Sequence, residues 1–146
     1  MPQNIEKFDL LTARLFADLY GRFPVRTFLS AESYGIDAEK VFQLDGKINA
    51  AVSAELEFFC ATLRWLRESG YLDYKSEGNC GVFSDVVLTT RGLDVLKAMP
   101  KSVSPDKPLG DYLRDAVRSG TTDALKSGVA AALSAGAMFA WNTLTR

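Results

Sequence analysis

The sequence lacks histidine altogether and has only two cysteines, Cys60 and Cys80, among its 146 residues. The absence of imidazole excludes His-based acid–base catalysis, Ser–His and Cys–His nucleophile pairs, and zinc sites that need a His ligand. Two thiols are also too few for a zinc site built from four cysteines. A disulfide between them is conceivable, but nothing in the pattern requires one. We therefore expect no enzyme, no metal and no cofactor.

An excess of charge of either sign is also missing, because 17 Lys and Arg residues face 18 Asp and Glu residues. This balance argues against a surface that attracts polyanions everywhere, although it allows a local basic patch. Apolar residues make up 47% of the chain and charged residues 24%, which is typical of a folded globular protein. The first residues have neither the basic start nor the apolar stretch of a signal peptide, so we predict a cytoplasmic location.

Apolar residues at helical spacing predict a first helix over residues 5–20. The stretch 23–49 gives weaker signals. A short helix could begin after Ser30 and another could cover residues 37–41. The Asp45-Gly46 pair could instead turn a small hairpin.

The strongest helical pattern covers residues 50–69. Ser53 and the residues that follow it resemble a helix start, and Gly70 is the expected end of the helix. One broad face of this helix is apolar and is predicted to be buried; it consists of Leu56, Phe59, Cys60, Leu63 and Leu66. Phe58 and Trp65 lie on nearly the opposite side. Either other helices cover both aromatic residues, or the two form a contact for a partner.

The stretch "VVLTTRGLDVL" at 86–96 changes its periodicity from that of a strand to that of a helix without an intervening loop. Residues 71–88 are predicted to form a β-hairpin whose loop is 76–81. Thr89 or Thr90 then supplies the cap of a helix that ends near Ala98. A strand therefore leads directly into a capped helix.

Two segments, "LRWLRESGYL" at 63–72 and "LTTRGL" at 88–93, are similar to winged-helix domains of bacterial regulators of the MarR and PadR type. In those domains a helix ending L-x-x-x-G leads into the wing, and an L-T-x-x-G segment opens the next helix. The resemblance implies a mainly α fold with a small β-hairpin, in which residues 1–100 form a winged-helix domain. It also implies that the 53–69 helix enters the major groove of DNA, with 76–81 as the wing.

If the resemblance extends to DNA binding, four of the cations in this part of the chain would contact DNA; these are Arg64, Arg67, Lys75 and Arg91. However, residues 45–101 carry seven basic and eight acidic side chains, and the loop 76–81 has no Lys or Arg. Phosphate contacts dominate nucleic-acid affinity, so the charge balance disfavours DNA. Two functions remain: a dimeric DNA-binding transcriptional regulator, and a non-enzymatic protein-interaction module on a winged-helix scaffold.

The C-terminal third is predicted to be a helical appendage. Residues 101–108 have the composition of a linker. A short helix then begins at Leu109 and ends at Gly120, and Thr121 caps a final helix that runs towards Arg146.

Residues 127–145 contain no charged side chain, and small residues recur there every four positions as Gly128, Ala132, Gly136 and Ala140. Such a ridge allows two helices to approach closely. The run is about 28 Å long as a helix, near the thickness of a bilayer core. Its richness in Ala, Gly and Ser is weak for membrane insertion. The ridge could therefore contact a second subunit or partner, pack in the core of its own domain, or associate with a membrane.

Overall fold

Helices account for most of the chain in the computed structural model, which describes residues 3–41, 46–99 and 106–144, without the side chains of 138–144. The helices of this part are α1 (Gln3–Arg22), α2 (Ala50–Glu68), α3 (Thr90–Lys97), α4 (Leu109–Ser119) and α5 (Thr122–Leu144). The strands are β1 (Thr27–Ser30), β2 (Leu72–Asp73), β3 (Ser76–Glu77) and β4 (Val82–Leu88). The predicted mainly α fold with a small β component is confirmed.

Strand β4 is the centre of the sheet, because β1, β2 and β3 all pair with it in antiparallel orientation. The hairpin predicted for 71–88 is confirmed, with Leu72 opposite Leu88 and Ser76 opposite Ser84. Its loop is shorter than the predicted 76–81, since Ser76 and Glu77 belong to β3. The prediction missed β1, which precedes α2 and forms the other edge of the sheet.

The stretch between β1 and α2 contains two short 3₁₀ turns, Ala31–Tyr34 and Ala38–Val41, at the two places where short helices are predicted. Ser30 does precede the first turn, but its hydroxyl bonds to Ser33 Oγ (3.2 Å) and does not cap the backbone. The alternative hairpin at Asp45-Gly46 falls partly outside the described residues.

Helix α2 begins at Ala50, the first residue of the predicted range and three residues before the predicted start signal at Ser53. Its N-cap is Asn49, whose side-chain oxygen accepts a hydrogen bond from the Val52 amide (3.3 Å). The helix ends where predicted, because Gly70 adopts a left-handed φ of 86° just beyond it. The predicted apolar face is confirmed: Phe59, Leu63 and Leu66 are fully buried.

Thr89 joins the hairpin to α3 without a loop, as the change of periodicity predicts. Its hydroxyl accepts a hydrogen bond from the Gly92 amide (3.1 Å) and donates one to the Gly70 carbonyl (2.5 Å). Gly92 lies against the backbone of Tyr71, where an added Cβ would be 2.0 Å from the carbonyl oxygen. The start of α3 is therefore hydrogen-bonded to and closely packed against the end of α2.

Replacing Thr89 with Ala is expected to lower the free energy of unfolding by about 1–2 kcal/mol, because the helix loses its cap and Gly70 loses its donor. Urea denaturation followed by circular dichroism measures this loss. Thr90→Ala is the matched control, since Thr90 lies one residue further on and is not the cap residue. Equal losses in the two variants would contradict the assignment of the cap.

Helices α4 and α5 belong to the same core as the rest of the chain rather than forming an appendage. Both pack against α1, and α5 also contacts α3. The ion pair of Glu6 with Lys126 links α1 to α5 at the edge of this core. Fully buried side chains come from the whole length of the chain and include Leu15, Phe16, Leu63, Phe83, Leu96, Leu113 and Val129. Residues 101–105 of the predicted linker lie outside the described residues.

The small residues of α5 face the protein's own interior. An added Cβ at Gly128 would be 2.5 Å from a methyl group of Leu113, and one at Gly136 would be 2.1 Å from the Tyr71 hydroxyl. Ala132 between them is fully buried, while the side chain of Ala140 is outside the described part. Of the predicted roles for this ridge, the structure therefore shows packing within the core. No helix in the described ranges is long and apolar enough to cross a membrane.

Candidate interaction surfaces

Two surfaces of different chemistry flank helix α2. On one side, α1 and α2 enclose an apolar depression, which we name the α1–α2 groove. On the other side, α2 and the hairpin enclose a polar depression, which we name the hairpin cleft. The groove is lined chiefly by Ile5, Phe8, Leu11, Phe58, Ala61 and Trp65. The cleft is lined by Arg64, Arg67, Glu68, Tyr74, Lys75, Ser76 and Glu77.

The hairpin cleft brings together three of the four residues predicted to bind DNA, namely Arg64, Arg67 and Lys75. Both arginines are engaged within the protein. Arg64 makes two hydrogen bonds to the carboxylate of Glu77 (2.8 and 2.6 Å). Arg67 approaches Asp73 (3.3 Å) and lies over the ring of Tyr74, 4.4 Å from its centre. Acidic side chains thus neutralise the arginines of the predicted reading helix.

The hydrogen bond from Arg64 holds the pKa of the Glu77 carboxyl below its usual value of 4.5. A carboxyl group whose pKa is lower in the folded state than in the unfolded state stabilises the protein at pH values above the unfolded-state pKa. This stabilisation is lost as the pH falls through the folded-state pKa. Because both side chains are partly exposed, we expect the pair to contribute less than about 1 kcal/mol.

Urea denaturation of wild type and Glu77→Gln at pH 7 and below pH 4 measures the contribution of this pair. The variant should be slightly less stable at pH 7, and the difference should shrink as the pH falls through the lowered pKa of Glu77. Asp94→Asn on α3 serves as the exposed control. A difference between wild type and Glu77→Gln that grows at low pH would contradict the assignment of the pair.

Arg91, the fourth predicted DNA contact, is partly buried and bonded within the protein. Its guanidinium donates hydrogen bonds to the carbonyl oxygens of Ser69 (2.9 Å) and Gly136 (2.7 Å). It also lies over the ring of Tyr71, 4.9 Å from its centre. This side chain therefore connects the end of α2 to α5, and it does not line the hairpin cleft.

The α1–α2 groove contains the two aromatic residues whose role the sequence leaves open. Among the described residues no other helix covers them fully: Trp65 is 47% exposed and Phe58 is half-buried. Phe8 of α1 meets Trp65 edge to face, with ring centres 5.4 Å apart. Phe58 divides the groove into two hollows of about 390 and 240 Å³. The groove is therefore an open aromatic surface of substantial size.

Two cations of α1, Lys7 and Arg14, stand at the rim of the groove. The ammonium of Lys7 lies 5.4 Å from the ring centre of Phe58, and the guanidinium of Arg14 lies 5.1 Å from that of Tyr34. Neither cation has a carboxylate within 4 Å among the described residues. The sequence analysis missed both residues, although their spacing of seven places them on one side of α1.

The cysteines and carboxylates offer little chemistry. Cys60 is buried, Cys80 is exposed, and both thiols are free. Burial raises the pKa of the Cys60 thiol, which disfavours the reactive thiolate. Within residues 3–41, 46–99 and 106–144, no three acidic or cysteine side chains lie close enough together to hold a metal ion.

No protein-family model, curated protein or solved structure matches this chain. The functional interpretation therefore comes from the two surfaces themselves.

Proposed function

We propose that this protein is a non-enzymatic protein-interaction module on a winged-helix scaffold, and that the α1–α2 groove is its contact surface. The observation that carries the proposal is the open aromatic stripe of Phe8, Phe58 and Trp65. Aromatic residues concentrate at the centres of protein interfaces because they bury a large area at little cost in conformational entropy. An exposed apolar groove that no described element of the fold covers is typical of a binding surface.

The scaffold part of the proposal is supported by the order and pairing of the elements. Helix α2 leads into the hairpin, the hairpin leads directly into α3, and β1 pairs with the central strand. These features agree with the resemblance of residues 63–72 and 88–93 to winged helices. The free thiols agree with a reducing compartment, so we propose that the protein acts in the cytoplasm.

Site-specific photocrosslinking in the cells that make the protein tests the proposal. A photoreactive amino acid replaces Ala61, which is exposed in the groove, or Ala130, which is exposed on α5. We expect irradiation to give a discrete covalent product from position 61 and none from position 130. The same product from both positions, or none from position 61, would contradict the proposed contact surface.

A DNA-binding regulator is the second candidate, and the gathering of Arg64, Arg67 and Lys75 in the hairpin cleft is the observation that favours it. Fluorescence anisotropy with a random DNA duplex at low salt separates the two candidates. Because Glu77 and Asp73 neutralise the arginines, we expect no binding below about 10 μM. Tighter binding that Arg64→Ala abolishes would establish the regulator instead.

A further inference from the structure

We infer that the α1–α2 groove binds an amphipathic α-helix that carries acidic side chains beside its apolar stripe. This inference rests on the proposed function, since it names the partner of the same groove. It follows from the shape of the groove, from its aromatic lining and from the charges on its rim.

The two hollows have the spacing of side chains on a helix. On α1, Ile5 and Phe8 line the first hollow, and Leu11 and Arg14 line the second. At a rise of 1.5 Å per residue, the hollows lie about 6–9 Å apart. Apolar residues one to two turns apart on a bound helix would therefore occupy both hollows, with Phe58 between them.

The walls of the groove favour a helix over an extended peptide. Helices α1 and α2 form most of the lining, and beyond the first turn of α1 the backbone amides and carbonyls along the groove are paired within the helices. An extended strand gains much of its affinity from hydrogen bonds to an open sheet edge, and none of the described residues that line the groove belongs to a strand. Between Ile5 and Arg14 the groove is about 14 Å long, which accommodates two to three helical turns.

The rim specifies the charge of the partner. Lys7 and Arg14 lie on the same side of the groove and are exposed, whereas Glu55 is the one carboxylate among the described lining residues. Acidic residues on the bound helix would pair with the two cations and would speed the encounter. A second copy of this protein that brought its own α1 into the groove would set like charges against each other.

Two synthetic peptides test the inference on the intact protein. Both are helix-forming sequences of about 14 residues with Leu at i, i+4 and i+7; one carries Glu beside this stripe and the other carries Lys at the same positions. Fluorescence anisotropy of labelled peptides measures the Kd. We expect the acidic peptide to bind at least about tenfold more tightly than the basic peptide.

Charge reversal provides the decisive comparison. In the double variant Lys7→Glu/Arg14→Glu the preference should reverse, so that the basic peptide binds more tightly. The control is Lys75→Glu/Lys97→Glu, which changes the net charge equally at exposed positions outside the groove. The control should keep the wild-type preference. Trp65→Ser should weaken both peptides.

Several outcomes would overturn the inference. The first is that the two peptides bind equally tightly, and the second is that neither peptide binds. The third is that Lys75→Glu/Lys97→Glu reverses the preference for the acidic peptide as effectively as Lys7→Glu/Arg14→Glu does. A dimer in sedimentation that Trp65→Ser converts to monomer would assign the groove to a second copy. If position 61 still gives a discrete crosslinked product while the peptides fail, the proposed function stands and only the partner class is wrong. If both experiments fail, the proposed function is wrong as well.

Discussion

A chain that ends at Gly120, and so lacks α5, is expected to lose its cooperative unfolding transition. Helix α5 contributes Leu125, Val129 and Ala132 to the core. Burial of two large aliphatic side chains stabilises a protein by about 3–6 kcal/mol. The newly exposed surface of α1 and α4 would add a comparable loss, and a domain has only about 5–15 kcal/mol in total. Thermal denaturation followed by circular dichroism checks this prediction.

Two substitutions in the full-length chain show whether α5 stabilises the protein through the side chains that it buries in the core. Ala130 is exposed on α5, whereas Ala132, two residues further on, is fully buried. We expect Ala132→Lys to destabilise the fold severely, because a buried charge would have no partner, and Ala130→Lys to change the stability by less than about 0.5 kcal/mol. If the truncated chain unfolded cooperatively at the wild-type temperature, α5 would be dispensable for the core.

Arg91→Ala is expected to lower the free energy of unfolding by about 2–4 kcal/mol, because the carbonyl groups of Ser69 and Gly136 lose their donor. The aromatic ring of Tyr71 also loses its stacked guanidinium. Chemical denaturation measures the change. Arg91 thus connects the end of α2, the start of α3 and the middle of α5.

Lys75→Ala is the control for this prediction, since Lys75 was predicted to bind DNA alongside Arg91 but is exposed on the hairpin. Its stability should lie within about 0.5 kcal/mol of wild type. If Arg91→Ala were equally harmless, the guanidinium would not hold the two helices, and a role on the surface would have to be considered again.

The helices could be predicted from the sequence because each carries its own apolar periodicity and end signals. The hairpin and the cap at Thr89 are local patterns of the same kind. Strand β1 was not predicted because its four residues, Thr27–Ser30, show little alternation of apolar and polar side chains. They form a strand through pairing with β4, more than fifty residues away.

The sites were harder to predict because they depend on which elements meet. Trp65 is 47% exposed although Phe8 of α1 contacts it, so its exposure depends on how α1 packs against this side of α2. The periodicity of α2 alone does not reveal this. Likewise, the spacing of the small residues of α5 is compatible both with a contact to a partner helix and with packing in the core of the same chain. Only the positions of Leu113 and Tyr71 beside Gly128 and Gly136 distinguish these alternatives.

The central claim is that the aromatic stripe of the groove serves binding and is not needed for folding. The free energy of unfolding of Trp65→Ser tests this claim most directly. Trp65 is 47% exposed and contacts Phe8 through one edge. Urea denaturation should therefore show a loss of no more than about 1 kcal/mol, with an unchanged dependence on urea concentration. A loss of about 3–5 kcal/mol, as for a tryptophan in a core, would show that the fold itself requires this side chain and would contradict the claim.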